Sequence, residues 1–136
     1  MADLSLDQYL NQWKVNYFHI HVAPDELTPE YLINAQKTVD RTNQLLNAFG
    51  ERRNITSGWR PVSVNKIVPG AALYSKHTRC LAVDISDPDG DLDEWCLDNQ
   101  DVLTEIGLWL EHPAATKGWC HVQVVPPKSG NRVFYP

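Results

Sequence analysis

Apolar residues recur at helical spacing between Thr28 and Phe49, and this is the clearest periodic pattern in the chain. Thr28 is a typical N-cap residue, Pro29 suits the first helical position, and Gly50 follows the last apolar residue. The pattern therefore predicts a helix over this whole segment. Residues 1–27 mix aromatic and acidic positions without a regular period, so we expect them to pack on the domain as an N-terminal segment.

A second apolar pattern of helical period runs from Asp91 to Ile106. Asp91 and Glu94 stand three residues apart, which is the spacing of a capping box, and Gly107 follows the last apolar position. These signals predict one continuous helix over Asp91–Ile106.

Short segments with β-branched or alternating apolar residues predict strands. They are Ile55–Trp59, Cys80–Ile85, Leu108–Glu111 and Trp119–Val125, with Val133–Tyr135 as a closing edge. The third and fourth segments are predicted to form a hairpin. We expect a single α+β domain in which a small, mainly antiparallel sheet is backed by the two helices.

Composition narrows the function classes. A chain of 136 residues with 43% hydrophobic and 21% charged residues fits one globular domain. Its net charge of -5 repels phosphate backbones and anionic lipid, so we expect neither nucleic acid nor a membrane as a partner. The N-terminus lacks the pattern of a secretion signal, which predicts a cytoplasmic location at synthesis. Three widely spaced cysteines predict reduced thiols rather than disulfides.

Candidate chemistry begins with His77 and Asp84, seven residues apart, and with His121 on a different predicted strand. An aspartate among apolar strand residues needs a partner that offsets its desolvation, and a cation is the natural one. Two nitrogens and one oxygen leave the fourth position of a tetrahedral zinc site open, as in catalytic sites. A metal there lowers the pKa of water to roughly 7 and polarises a carbonyl, which favours amide hydrolysis. Cys120 is the alternative to His121, but strand alternation separates their side chains and we choose His121.

Several blocks recur in an order that is typical of one family. They are Asn43–Leu46, Ser57–Arg60, Ser75-x-His77-x6-Asp84, Trp119-x-His121 and Ser129–Phe134. From about Thr28 onward the chain resembles the zinc D-Ala-D-Ala carboxypeptidases and L-Ala-D-Glu endopeptidases, which are bacterial and phage cell-wall peptidases of the Hedgehog/DD-peptidase fold. It is most similar to small phage and prophage members.

The resemblance implies that His77, Asp84 and His121 bind zinc, and that Arg60 binds the substrate carbonyl or the oxyanion formed from it. Two other positions depart from the family pattern. Cys80 stands where members usually have glycine, and Gly118 stands where many have the acidic general base.

Glu111 is the predicted substitute for that base. The predicted hairpin places it on the same face as His121 and diagonal to it, within reach of an activated water. A structural ion pair is the other interpretation of Glu111, and His112 either contributes to the site or caps its loop. His19 and His21 also have the spacing of a metal-binding pair, but no acid is arranged around them. We interpret them as N-terminal residues without a role in the site.

The predicted function is zinc-dependent hydrolysis of an amide bond in the peptidoglycan stem peptide. The protein is expected to reach the cell wall through holin-type release or virion delivery. Carboxypeptidase and endopeptidase activity both fit the resemblance. Two alternatives remain open at the level of sequence. One is a catalytically inactive metal-binding virion or cell-wall-binding module, and the other is a metal-independent interaction protein whose histidines are structural.

Overall fold

The computed structural model describes residues 2–136. The described residues form six α-helices: α1 Leu6–Asn11, α2 Lys14–Tyr17, α3 Pro29–Phe49, α4 Val62–Asn65, α5 Asp91–Asp98 and α6 Gln100–Ile106. The same part of the chain forms five strands: β1 Ile55–Ser57, β2 Ala82–Asp87, β3 Trp109–Glu111, β4 Gly118–Gln123 and β5 Val133–Phe134. Short 3-10 turns lie at Pro24–Glu26, Lys76–Arg79 and Pro113–Ala115.

The strands make one sheet in the order β1-β2-β4-β3-β5. Every pairing is antiparallel except that of β3 with β5. In the central β2–β4 pair, Asp84 lies opposite His121 and Asp87 lies opposite Gly118. The predicted α+β class with a small, mainly antiparallel sheet is confirmed.

Helix α3 begins and ends where its pattern predicts. The Thr28 hydroxyl accepts a hydrogen bond from the Tyr31 amide, and Pro29 occupies the first turn. Gly50 adopts the left-handed conformation with φ of 92° and donates its amide to the Leu46 carbonyl. Strong caps at both ends explain why the helix prediction is accurate.

The single helix predicted over Asp91–Ile106 is wrong, because the segment forms two helices that meet at Asn99. The Asn99 backbone is non-helical, with φ of -128° and ψ of 45°. Its side-chain amide donates to the Trp95 carbonyl over 2.8 Å. Asparagine competes for backbone groups in this way and favours helix ends over interiors.

The predicted capping box between Asp91 and Glu94 is also replaced by a different cap. Asp87, at the end of strand β2, accepts the Leu92 amide at 3.0 Å and the Asp93 amide at 2.9 Å. A carboxylate at a helix N-terminus satisfies free amides and complements the helix dipole. Helix α5 is therefore fixed to the sheet by its first turn.

Strand β2 begins at Ala82, whereas the sequence pattern predicts a strand from Cys80. Cys80 has φ of 60°, and it is the only residue other than glycine with positive φ in residues 2–136. This conformation costs a side chain about 1 kcal/mol. The Cys80 side chain is fully buried, and its carbonyl accepts the Thr38 hydroxyl at 2.7 Å.

Strand β1 is shorter than the predicted Ile55–Trp59, because the N-terminal segment takes over its backbone beyond Ser57. The Trp59 amide donates to the Tyr9 carbonyl at 3.1 Å. A Cβ atom on Gly58 would stand 2.3 Å from that same carbonyl oxygen, so only glycine permits this approach. The chain thus leaves the sheet just before Arg60.

The N-terminal segment contacts both the sheet and α3. The Tyr9 side chain is fully buried, and its hydroxyl donates to the Ala82 carbonyl at 2.7 Å. The Asn43 carboxamide forms hydrogen bonds of 2.9 Å with both the amide and the carbonyl of Leu4.

Within residues 2–136, no helix is both long and apolar enough to cross a membrane.

Candidate metal centre and active site

Three separate elements bring His77, Asp84 and His121 together on the open side of the sheet. His77 lies in the 3-10 turn before β2, Asp84 lies on β2, and His121 lies opposite Asp84 on β4. One ligand atom from each residue lies within 4.8 Å of the other two. Both histidines are buried, with 4% and 8% of their surface exposed.

The proton on His77 is fixed by a backbone contact. Its Nδ1 lies 2.9 Å from the Gly58 carbonyl oxygen, which only accepts hydrogen bonds. Nδ1 must therefore carry the hydrogen, and Nε2 of the neutral ring keeps a lone pair. That Nε2 lies 3.3 Å from Asp84 Oδ2.

The proton on His121 is fixed by Gln123, two residues along the same strand. Gln123 Nε2 donates to the Val125 carbonyl at 3.0 Å, so its Oε1 is the atom that faces His121 Nε2 at 3.1 Å. Nε2 is then the donor, and Nδ1 of the neutral ring keeps a lone pair. That Nδ1 lies 2.8 Å from Asp84 Oδ1.

When both imidazoles are neutral, their lone pairs thus point at the Asp84 carboxylate. Such a group of acceptors requires a cation, which is either an added proton or a metal ion. Burial raises the pKa of Asp84, but the charge of His77 and the His121 hydrogen bond outweigh it and hold that pKa below the usual range. Burial lowers the pKa of His121, and the Asp84 contacts outweigh it and raise that pKa.

The donor set fits zinc. Imidazole nitrogen and carboxylate oxygen are zinc ligands, and three protein ligands are the number found in catalytic zinc sites. Each neutral imidazole donates its N–H to a protein oxygen, which is the usual support for a metal-ligating histidine. The assignment of His77, Asp84 and His121 as ligands stays a prediction with a matching geometry.

Glu111 ends strand β3 beside this cluster. Its Oε2 lies 3.8 Å from His121 Nδ1, and its side chain is only 19% exposed. Strand β3 pairs Leu110 with Val122, so Glu111 stands directly opposite His121 rather than diagonal to it as predicted. Desolvation raises the pKa of Glu111, the charge of His121 opposes this, and the charge of Asp84 adds to it.

Arg60 reaches the same cleft from the loop that follows β1. Its backbone amide donates to the His77 carbonyl at 3.1 Å, which ties Arg60 to the His77 turn. Its guanidinium donates to Ser57 Oγ and Asn65 Oδ1, each at 3.3 Å. Burial lowers the pKa of Arg60, and the charge of Asp84 opposes the shift.

A cleft of about 550 Å³ contains all five predicted site residues: Arg60, His77, Asp84, Glu111 and His121. Residues 68–72, 74–77 and 134–136 also line the cleft. Lys76 and Lys128 add two cations to the lining. The cleft is open, so an extended chain can enter it.

Other residues that the sequence singles out lie elsewhere. His112 Nδ1 accepts the Ala114 amide at 3.0 Å and so caps its loop. His19 and His21 are exposed and do not belong to the ligand cluster of residues 2–136. Cys120 is fully buried and also outside that cluster.

Gly118 has φ of 98°, a backbone conformation that an acidic residue would adopt only with strain. The structure thus gives a physical reason for glycine at this position. Besides Asp84, Glu111 is the acidic side chain that lines the cleft with His121.

Sequence reasoning missed two polar supports of the site, Asn65 and Gln123. Gln123 shares the face of His121 because the two are separated by two residues on one strand, and this spacing was a usable signal. Asn65 belongs to a four-residue helix without a periodic pattern. Only the folded loop brings it to Arg60.

Comparison with known proteins adds one result. A family model described as Peptidase M15 matches residues 5–112, which is well over half of the chain. The matched stretch contains Arg60, His77, Asp84 and Glu111, and it ends before His121. Neither the search of curated proteins nor the search of solved structures found a match. The family match and the fold together show that the chain belongs to the M15 peptidases, a family of zinc-dependent metallopeptidases.

Proposed function

We propose that this protein is a zinc peptidase that hydrolyses an amide bond in the stem peptide of peptidoglycan. The observation that carries the proposal is the convergence of His77 Nε2, His121 Nδ1 and the Asp84 carboxylate, with the other nitrogen of each imidazole held by a protein oxygen. Family membership supports a peptidase. The peptidoglycan substrate and the phage or prophage context rest on the sequence resemblance.

Zinc held by His77, Asp84 and His121 would polarise the scissile carbonyl and lower the pKa of water to roughly 7. The chain itself must then move one proton and stabilise one developing charge. Glu111 is the proposed general base, because it lies beside His121, it is the cleft acid that is not assigned to the metal, and its pKa is raised toward the working range.

Proton transfer through Glu111 has two stages. The Glu111 carboxylate accepts a proton from the attacking water, and it later gives that proton to the leaving amine. Arg60 lies along the same cleft with no carboxylate partner in residues 2–136, so its charge can meet the oxyanion. Preorganised donors of this kind typically contribute 10²- to 10³-fold to the rate.

The charge of the cleft favours an acidic peptide. Arg60, Lys76 and Lys128 line it together with Asp84 and Glu111, and Asp84 is assigned to the metal. In a chain of net charge -5, this is a locally cationic surface. We further propose that the protein is made in the cytoplasm and reaches the cell wall by holin-type release or virion delivery.

Digestion of purified peptidoglycan tests the proposal. The zinc-loaded and the chelator-treated proteins are incubated with it, and mass spectrometry identifies released fragments. We expect zinc-dependent fragments whose masses identify the bond as a carboxypeptidase or an endopeptidase target. Glu111→Gln should lose the activity, whereas Glu105→Gln, an exposed acid on α6, should retain it. An equal rate in wild type and Glu111→Gln would remove Glu111 as the base.

The second candidate is a metal-binding cell-wall module without catalysis, and Gly118 at the usual position of the base favours it. This candidate predicts that zinc and peptidoglycan both bind while no fragment is released. The same digestion, read beside sedimentation of the protein with peptidoglycan, separates the two functions.

A further inference from the structure

Asn65 is a buried polar residue at the end of α4, with 7% of its surface exposed. Its carboxamide makes two contacts in opposite directions. Oδ1 accepts from Arg60 Nη1 at 3.3 Å, and Nδ2 donates to the Ala72 carbonyl at 3.0 Å. Asn65 therefore joins the cleft cation to residues 68–72, which form part of the cleft wall.

The partners of the Arg60 guanidinium are electrically neutral. They are the Asn65 amide oxygen and the Ser57 hydroxyl, and no carboxylate in residues 2–136 lies within 4.0 Å of it. By contrast, Arg53 in the same protein contacts three carboxylates, those of Glu51, Asp87 and Asp91. Neutral acceptors orient a guanidinium without cancelling its charge.

We infer that Asn65, which is itself held by the Ala72 carbonyl, is a positioning residue that holds the Arg60 guanidinium toward the scissile carbonyl. The inference rests on the proposed function of Arg60. Arg60 is tied to the His77 turn only through its backbone amide. The direction of the long side chain is set by Ser57 and Asn65, so losing Asn65 frees the cation without removing it.

Steady-state kinetics of the zinc-loaded protein test this inference. Because Arg60 acts on charge that develops in the transition state, Asn65→Ala should lower kcat about 10-fold to 100-fold with little change in KM. Arg60→Ala should lower kcat by about 10²- to 10³-fold. In the double variant the Asn65 substitution should add nothing, because its effect acts through Arg60. Full additivity of the two losses would overturn the inference.

Asn43→Ala is the matched control. Asn43 also uses both ends of its carboxamide, but it bonds Leu4 outside the cleft. It should lower the melting temperature without changing kcat. An equal loss of kcat in Asn43→Ala and Asn65→Ala would show that destabilisation alone explains the effect, and the inference would fail.

A second measurement does not depend on turnover. Nitrogen-15 NMR of arginine side chains reports rotation about the Arg60 Nε–Cζ bond, which should be restricted in wild type and at least about 10-fold faster in Asn65→Ala. Equal rotation in both proteins would overturn the inference. If wild type releases no peptidoglycan fragment while this difference in rotation is present, the proposed function fails and the positioning contact stands.

Discussion

Two aspartates on strand β2, Asp84 and Asp87, have opposite environments although they are three residues apart. Asp87 is fully buried and accepts hydrogen bonds from Arg53 Nη1 at 2.9 Å and from two amides at the start of α5. Asp84 faces the lone pairs of His77 and His121. The protein supplies donors to one carboxylate and only acceptors to the other.

The difference separates a structural carboxylate from a metal-ligand candidate. Asp87 needs nothing from outside, because a cation and helix amides offset its desolvation. Asp84 is left with neighbours that cannot donate in their neutral form, so it needs a proton or a metal. Burial alone therefore does not distinguish the two roles, whereas the identity of the nearest donors does.

The largest expected effect is loss of turnover in Asp84→Asn. Removing a metal ligand removes several kcal/mol of transition-state stabilisation, or about 10³-fold in rate. The metal-free variant should stay folded, with a free energy of unfolding within about 1 kcal/mol of wild type, because the Asn NH2 group can donate to one imidazole and the Asn oxygen can accept from the other ring when that ring is protonated. Turnover and urea unfolding after chelation measure the two quantities. An unfolded Asp84→Asn protein would contradict the claim that Asp84, unlike Asp87, is not required for folding.

Asp87→Asn should show the reverse pattern. Whichever way the new amide turns, its NH2 group meets a donor, and Arg53 loses a buried partner. We expect the free energy of unfolding to fall by about 3 kcal/mol. Activity per folded molecule should stay close to wild type. Urea denaturation with enzyme assays below the transition tests both, and a stable but inactive variant would refute the structural role of Asp87.

Gln123→Ala should weaken zinc binding without removing a ligand. Gln123 fixes the proton of His121 on Nε2, and losing such a partner typically costs 10- to 100-fold in metal affinity. Competition with a chromogenic chelator measures the affinity directly. Gln123→Glu keeps an acceptor at the same position and serves as the control. Equal affinities in wild type and Gln123→Ala would show that the tautomer does not depend on this contact.

The smallest effect concerns Asp93, beside Asp87. Burial and the charge of Asp87 raise the pKa of Asp93 to about 6. A carboxyl whose pKa is raised by folding stabilises the folded protein at pH values below its unfolded pKa of about 3.8. This stabilisation is lost as the pH rises through the folded pKa of about 6. Relative to Asp93→Asn, wild type should lose about 1 kcal/mol between pH 5 and pH 8. If wild type and Asp93→Asn differ in free energy of unfolding by the same amount at pH 5 and at pH 8, the raised pKa of Asp93 is contradicted.

The sequence predicted helix α3 accurately because its caps and its period lie within one segment. It failed at Asn99 and at the start of α5, where the deciding groups are a side chain competing for backbone and the carboxylate of Asp87 on the preceding strand. It also placed Cys80 in a strand, because a positive φ leaves no mark in the apolar pattern. Local signals predicted elements well and their junctions poorly.

The candidate ligands, Arg60 and Glu111 were all named from residue type, spacing and resemblance. The sequence by itself determined the α+β class, the acid and imidazoles available and the missing acid at position 118, because these depend on composition and order. Only the tertiary structure decided which nitrogens of His77 and His121 face Asp84, that Glu111 lies opposite His121, and that Asn65 contacts Arg60. Each of these depends on strand register or on a carbonyl distant along the chain, and side-chain protons and directions are set by such contacts in space.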